Sequence, residues 1–519
     1  MTQLTRRAAL TVGALSIGTV GALAACAPLA PKPSPSPTPA GPPQWSELAS
    51  AVTGTVALPG STEYDTAKLV ENPRWDSAMP LAVLSAVSAK DVGAALAFAT
   101  TYRIPVALRS GGHSYPGYSA GGAPGTAVKP ALVIDVRPLD SITLAADNTV
   151  TIGAGASLAV VYDTIGTKGR SIAAGSCATV GITGLTLGGG VGVLTRAYGL
   201  TCDSLTAVEI VTADGEVHTA TEKTDADLFW ACRGGGGGHL GVVTSLTFAT
   251  QPAPTVTMFS LTWPAASAAA VVKAWQGWAP TADPKLWSTL KLLNGVGYTN
   301  GLGVFLSGTW LGAYSALQAQ LAPLIAAAGA PSHNGSSQHD YRDAMLSYAG
   351  CATIPISQCN TGTGIAGSGG SLKRESFAAT SHVAYQALDE QGIQTLVAQA
   401  TAAGTVPGIK EGGISMDALG GQVATIAADA TAFPHRSALM TVQYTATFAN
   451  GADPAPLDAY VRGFRAALVP QWGDGAYVNY ADASLTDPLE SYFKANKARL
   501  ATVRKKYDPS GFFTQPQSY

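Results

Sequence analysis

Three dense glycine runs constrain the fold of this chain more than any other feature of its sequence. They are Arg109-Ser-Gly-Gly-His-Ser-Tyr115, Gly175-Ser-Cys-Ala-Thr-Val-Gly-Ile-Thr-Gly-Leu-Thr-Leu-Gly-Gly-Gly190 and Arg233-Gly-Gly-Gly-Gly-Gly-His-Leu-Gly241. A residue without Cβ lets backbone approach backbone, or a flat or anionic group, and consecutive glycines can aim several N–H groups into one concavity. The first run directly follows a predicted short strand, 106–109. Taken alone it could be a tight structural turn, but an imidazole (His113) at the edge of such a nest is seldom there for packing. In the second run Val, Ile and Leu interleave the glycines, which argues for a buried path and against a flexible loop. Its spacing and strand context are not those of a dinucleotide-binding Rossmann turn, and no Gly-Lys-Ser/Thr follows as in a P-loop.

The 519-residue length favours two packed parts with appendages. Apolar residues make up 46% and charged residues 12%, with a formal net charge of −2, so a large core is available. No basic face for nucleic acid is visible. Residues 1–26 read as a leader. Arg6-Arg7 precede an apolar run from Leu10 to Ala25, which implies export by the twin-arginine route. The run ends in Leu23-Ala-Ala-Cys26, a lipobox-like stretch that would anchor Cys26 to a membrane through lipid; plain cleavage is the alternative. Residues 27–43, rich in Pro and Ser, form an extended tether. Of the chain's 6 cysteines, five follow Cys26, so at least one is not a disulfide partner. Cys351 and Cys359 could pair, Cys202 and Cys232 read as buried thiols, and the surroundings of Cys177 are unusual.

An α+β region spans 72–253. It contains a strand and helix between Val83 and Pro105, capped by Ser88 with Asp91, then strands at 106–109, 132–136 and 149–152. A hairpin follows at 205–220, turning at Asp214-Gly215, and a last strand at 241–250. From 254 to 470 the texture changes: helices are predicted over 271–278 and 317–328, and strands over 258–263, 382–387 and 439–448. Residues 487–506 are predicted as one amphipathic helix with Asp487 as N-cap. The remaining histidines lack ligand spacing, so no metal site is expected.

These three runs, together with Ala476-Tyr-Val-Asn-Tyr-Ala-Asp482, Lys505-Lys-Tyr-Asp-Pro509 and Gln517-Ser518, resemble the vanillyl-alcohol oxidase superfamily in its berberine bridge enzyme-like branch. The resemblance runs from about residue 72 to the carboxyl end. It implies a two-part FAD-binding domain (72–253), a substrate domain with an antiparallel sheet and covering helices (254–470), and a segment, 471–519, returning to the FAD domain. It further implies FAD bound through two covalent bonds, from His113 to the flavin 8α position and from Cys177 to C6. Around the cofactor it places Arg109, Ser110, Gly111, Gly112, Ser114, Tyr115, Val180, Gly181, Gly184, Gly188, Gly189, Gly241, Val243 and Asn479. Tyr480 is implied as the catalytic base, for which a phenolate or a phenol of lowered pKa is suited. Asp417 would orient or activate it, or else be a surface carboxylate in a turn. Under strand alternation Tyr477 and Asn479 lie opposite Tyr480, and Gln443 faces substrate.

The implied reaction is hydride transfer from an alcohol or sugar hydroxyl carbon to flavin, reoxidised by oxygen to hydrogen peroxide. Val180, where oxidases of this branch tend to carry valine, favours oxygen as acceptor. The alternatives are a tailoring oxidoreductase of a secondary metabolite and a non-catalytic drug-binding flavoprotein. A monomer is expected, with no partner beyond substrate, oxygen and the lipid anchor. Two departures from the family pattern stand out. His239 occupies the usual Asn position of the third run and reads as tolerated there, and Leu185 stands where histidine is common. His435 reads as structural. Trp263, Trp275, Trp278, Trp287 and Trp310 read mainly as core, with some possible stacking platforms.

Overall fold

The computed structural model describes residues 41–364 and 369–519. The leader, Cys26 and residues 27–40 of the expected tether lie outside them. The strands, in chain order, are β1 (Thr55–Ala57), β2 (Ala82–Ser85), β3 (Val106–Arg109), β4 (Leu132–Asp135), β5 (Ile142–Leu144), β6 (Thr149–Gly153), β7 (Arg170–Ser171), β8 (Leu205–Val211) and β9 (Val217–Ala220). They continue as β10 (Val242–Ala249), β11 (Gln251–Pro252), β12 (Thr255–Trp263), β13 (Leu286–Gly295), β14 (Gly303–Trp310), β15 (His333–Asp340), β16 (Ser376–Ala384), β17 (Ile409–Ala418) and β18 (Met440–Phe448).

The first sheet has the order β1-β2-β4-β3, with β2 and β3 both parallel to β4 and β1 antiparallel on the edge. The helix Ala89–Tyr102 makes the crossover between β2 and β3. Ser88 caps it, accepting from the Asp91 N–H at 3.1 Å. Asp91 does not return the bond as the capping box predicts. Its carboxylate instead accepts from the N–H groups of Thr53, Gly54 and Val87, which ties the segment before β1 to the helix start. The second sheet is antiparallel, β5-β6-β10-β8-β9, and its β8–β9 hairpin turns at Gly215 with φ +83° as expected.

The third sheet is antiparallel, β15-β12-β14-β13-β17-β18-β16. Alternation on β13 sorts its two faces. Leu286, Leu290 and Leu292 join a core with the helices Ala268–Trp278, Leu317–Ala328, Glu390–Ala402 and Ala455–Trp472, and Ser288 accepts from the Trp275 indole at 3.0 Å. Trp287, Thr289 and Lys291 point the other way, toward the first two sheets. The strand expected over 382–387 lies earlier, at Ser376–Ala384, because its pairing partner β18 ends opposite Ala384 at Met440.

The tail returns to the first core, to which Tyr492, Phe493, Leu500, Val503, Tyr507 and Phe513 belong. It is not the single helix predicted. Pro488–Phe493 and Lys497–Tyr507 are separated by a 3₁₀ turn at Lys494–Asn496, with Lys494 at φ +46°. Tertiary contacts override the periodic pattern here. The break lets Tyr492 and Phe493 bury while the Asn496 amide donates to the carbonyls of Ala428, Thr431 and Ala432.

Candidate active site

A cavity of about 520 Å³ lies between the glycine loops of the first two sheets and the polar face of the third. One wall is built by backbone crossing backbone. A Cβ on Gly111 would stand 2.2 Å from the Gly181 amide nitrogen, and one on Gly181 would stand 2.3 Å from that of Gly111. Ser110 and Thr183 brace the crossing, each donating its hydroxyl to the Ala154 carbonyl, at 2.7 and 2.8 Å. This crossing brings His113 and Cys177, 64 positions apart in sequence, to one cavity. His113 Nε2 is 2.8 Å from Thr179 Oγ1, and burial lowers the imidazole pKa against the opposing pull of Glu71 and Thr179. The Cys177 thiol opens on the cavity. Its surroundings push its pKa up by desolvation, opposed by Lys291 and reinforced by Glu71 and Asp417.

Most of the residues expected around a cofactor line this cavity: Ser110, Gly111, Gly112, Ser114, Tyr115, Val180, Gly181, Gly184, Gly241, Val243 and Asn479. Three of the residues expected there are engaged elsewhere in the fold. Gly188 and Gly189 do not line it. A Cβ on Gly188 would meet Asn479 Oδ1 at 2.0 Å and one on Gly189 would meet the Phe433 ring at 3.0 Å, so these glycines admit other parts of the chain. Arg109 reaches the cavity wall, but its guanidinium turns inward. It donates to the Ala67 carbonyl at 2.7 Å and the Leu69 carbonyl at 3.1 Å and lies 3.7 Å from Asp135. Asp135 is its register partner on β4, which explains the inward turn.

Residues 478–480 form a 3₁₀ turn, not a strand, so Tyr477 and Tyr480 do not point to opposite faces. Their rings meet edge to face, with centroids 5.0 Å apart. The Tyr477 hydroxyl oxygen accepts from the N–H groups of Gly190 and Val191 and from the Asn479 amide, pinning the second glycine run to this turn. Tyr480 stacks on Tyr115 with an interplanar angle of 2°, and the Gln443 amide donates to the Tyr115 hydroxyl. The Tyr480 phenol is not of lowered pKa. Burial raises it well above its usual value, and Asp417, Tyr115, Tyr477 and Cys177 add to the rise. Asp417 lies on β17 facing the cavity, which removes the surface-turn alternative. Burial also raises its carboxyl pKa, opposed by Thr289 and Lys291.

Thr289, Lys291, Ser307 and Ser415, which no motif in the sequence marks, line the cavity floor with Trp287, beside Asp417 and Gln443. The ladder pairs Thr289 with Asp417, Lys291 with Ser415, and Ser415 with Gln443, so the polar groups form one patch across three strands. The available signal was the polar or aromatic side chain at every second position of β13 among leucines. Of the five tryptophans considered, Trp287 lines the cavity, whereas Trp263, Trp275 and Trp310 are core. His239 is more than tolerated: buried, it contacts Ser518 Oγ through Nδ1 at 2.9 Å and packs against Tyr519, holding the carboxyl end at the cavity rim. His435 is structural as expected, 2.6 Å from the Tyr385 hydroxyl and 2.9 Å from the Tyr492 carbonyl. Cys351 and Cys359 form a disulfide.

Comparison with known proteins places the chain in a family. The FAD binding domain model matches residues 80–221, and the berberine and berberine like model matches 476–518. An uncharacterized FAD-linked oxidoreductase of Bacillus subtilis, YgaK, is 31% identical over 90% of this chain and 97% of its own length. A glucooligosaccharide oxidase of Sarocladium strictum is 30% identical over 84% of this chain and 86% of its own. Among solved structures, the glucooligosaccharide oxidase of Acremonium strictum, described with 6-S-cysteinyl, 8α-N1-histidyl FAD, superposes with a TM-score of 0.79. It is 27% identical and covers 91% of this chain and 98% of its own. Agreement of this extent, beginning in the first sheet and closing on the tail that returns to it, makes the chain a member of the berberine bridge enzyme-like FAD-linked oxidoreductases.

Proposed function

We propose that the protein oxidises a carbohydrate hydroxyl carbon, with FAD held by covalent bonds from both His113 and Cys177 and with oxygen as the electron acceptor. The observation that carries this reading is the convergence of His113, Cys177, Tyr480 and Asp417 on one cavity, whose floor is a patch of hydrogen-bonding side chains. The wall suits FAD on its own chemistry. A Cβ on Gly184 would meet nothing within 4 Å, so the cavity reaches the backbone there, and the buried Ser119 hydroxyl on the same wall has no hydrogen-bond partner. When bound, FAD supplies the hydride acceptor and passes the electrons on to oxygen.

Tyr480 and Asp417 handle the proton. A phenol of raised pKa is neutral at pH 7 and cannot take the substrate O–H proton unless it releases its own. Asp417, on the same cavity, is the carboxylate to receive it, so the proton moves from substrate to the Tyr480 oxygen while the phenolic proton passes to Asp417. Stacking on Tyr115, itself held by Gln443, fixes the Tyr480 ring. Trp287, Thr289, Ser307 and Ser415 offer a ring face, an N–H and hydroxyls to a sugar. The Trp287 indole N–H is buried without a hydrogen-bond partner in the protein, and the Thr289 hydroxyl faces Asp417 across the ladder. The reading includes export, in keeping with the Cys351–Cys359 disulfide, a bond that persists in oxidising compartments.

The test is acid precipitation with intact-mass measurement, followed by a peroxide-coupled screen of mono- and oligosaccharides. Both bonds should survive denaturation, and Tyr480→Phe should lower kcat by roughly 10²–10⁴-fold with the flavin still attached. Flavin freed entirely into the supernatant, or full turnover in Tyr480→Phe, would overturn the reading.

A further inference from the structure

We propose that Glu71 is the positioning residue for covalent attachment at His113: beside the Thr179 hydroxyl that meets Nε2, its carboxylate favours the tautomer with the proton on Nε2, which leaves the Nδ1 lone pair free to bond carbon, and it closes on Nε2 to receive that proton as the bond forms. This rests on the two-bond reading above. Glu71 Oε2 lies 3.9 Å from His113 Nε2, the same nitrogen that contacts Thr179 Oγ1. Glu71 and Thr179 therefore crowd one edge of the ring.

The carboxylate is held in place. The Glu71 N–H donates to the Gly112 carbonyl at 3.1 Å, so Glu71 is tied to the turn that carries His113. Thr361 Oγ1 donates to Glu71 Oε2 at 3.0 Å. On either side, Arg374 donates to the Val70 carbonyl and the Asn72 amide to that of Phe377. Only 15% of the Glu71 side chain is exposed, and among the described residues His113 is its sole ion-pair partner within 4.0 Å. A carboxylate that faces no lysine or arginine is placed to stabilise a cation that develops beside it. Alkylation of a neutral imidazole at Nδ1 creates such a cation on the ring. Burial keeps His113 neutral beforehand, which the attacking lone pair requires.

The step balances. The bond formed joins His113 Nδ1 to the flavin 8α carbon, and a C–H bond of that methyl group breaks. Its proton leaves to solvent and its electron pair remains on the ring system, from which dioxygen removes it. The imidazole proton on Nε2 departs through Glu71. In sum, a methyl C–H, an imidazole N–H and O₂ give the C–N bond and H₂O₂.

Cys177→Ala isolates the His113 bond. Protein made flavin-free is mixed with FAD, and covalent incorporation is followed by intact mass under denaturing conditions. Gel filtration reports bound flavin separately. Cys177→Ala alone should attach flavin. With Glu71→Gln added, flavin should still co-elute with the protein but attach on the order of 100-fold more slowly, and Glu71→Asp should restore part of the rate. Equal rates with and without Glu71→Gln would overturn the inference. So would loss of co-eluting flavin, since a residue acting only on attachment leaves binding intact. Failure of Cys177→Ala itself to attach flavin would instead overturn the His113 bond and the reading beneath it.

Discussion

Gly111→Ala tests whether the backbone crossing, and not the two anchor side chains alone, is what makes attachment at both points possible. The added Cβ would stand 2.2 Å from the Gly181 nitrogen, 2.7 Å from the Thr179 carbonyl oxygen and 2.9 Å from the Gly181 Cα, all backbone atoms with no flexible end to swing away. Ordinary contact lies near 3.5 Å, so the loops must part by roughly 1.3 Å. Overpacking of this kind costs about 1–3 kcal/mol, which a folded chain of this size tolerates. Placement of reacting atoms is less forgiving, since about 1 Å of displacement costs roughly 10²-fold in rate. Gly111 is two residues from His113 and Gly181 four from Cys177, so most of the parting reaches the anchors. Denatured Gly111→Ala should therefore carry flavin through one bond in most molecules, with digestion and mass spectrometry assigning the attached peptide. Gly463→Ala, where the Cβ meets nothing within 4 Å, is the control and should attach fully. Gly111→Ala protein with both bonds formed at the wild-type rate would refute the argument that the crossing sets the anchor geometry.

The Asp417 carboxyl is raised by burial, and its ionised form is the one that accepts a proton. Turnover should therefore fall as pH drops through its folded pKa, and Asp417→Asn should abolish that acid limb while lowering kcat about 10²-fold; an unchanged limb in a kcat–pH profile would refute the role. Burial first, with neighbouring cations assisting, lowers His239, His382 and His435 to about 3 each. The unfolded chain takes up these protons near pH 6.5, so their contribution to stability is complete above that value and is lost as pH falls toward 3. At pH 5 the three together should remove on the order of 5 kcal/mol relative to pH 7.5, read as a lower thermal midpoint; equal midpoints would show that these imidazoles are charged in the fold.

What could be read from the sequence was local chemistry, and what could not was the identity of the distant partner. The turn carrying His113 follows from a strand running into two glycines, and both fall within a few residues. Gly181, Gly188 and Gly189 look alike in a string, yet only the first lines the cavity. The others make room for Asn479 and Phe433, nearly 300 and 250 positions away, and no local pattern distinguishes a glycine that admits a ligand from one that admits a side chain. Arg109 misleads for the same reason, since the Asp135 that turns it inward belongs to the parallel neighbour strand. Lys291 and Ser415 become one site only when β13 and β17 are in register. The Tyr480 phenol is the instructive case. A base role suggests a lowered pKa, but burial beside Asp417, Tyr115 and Cys177 raises it, so the residue can act only if its proton has somewhere to go. The fold thereby turns a single-residue expectation into a two-residue one: Tyr480 without Asp417 is a phenol with a locked proton, and removing either should slow turnover by about 10²-fold or more.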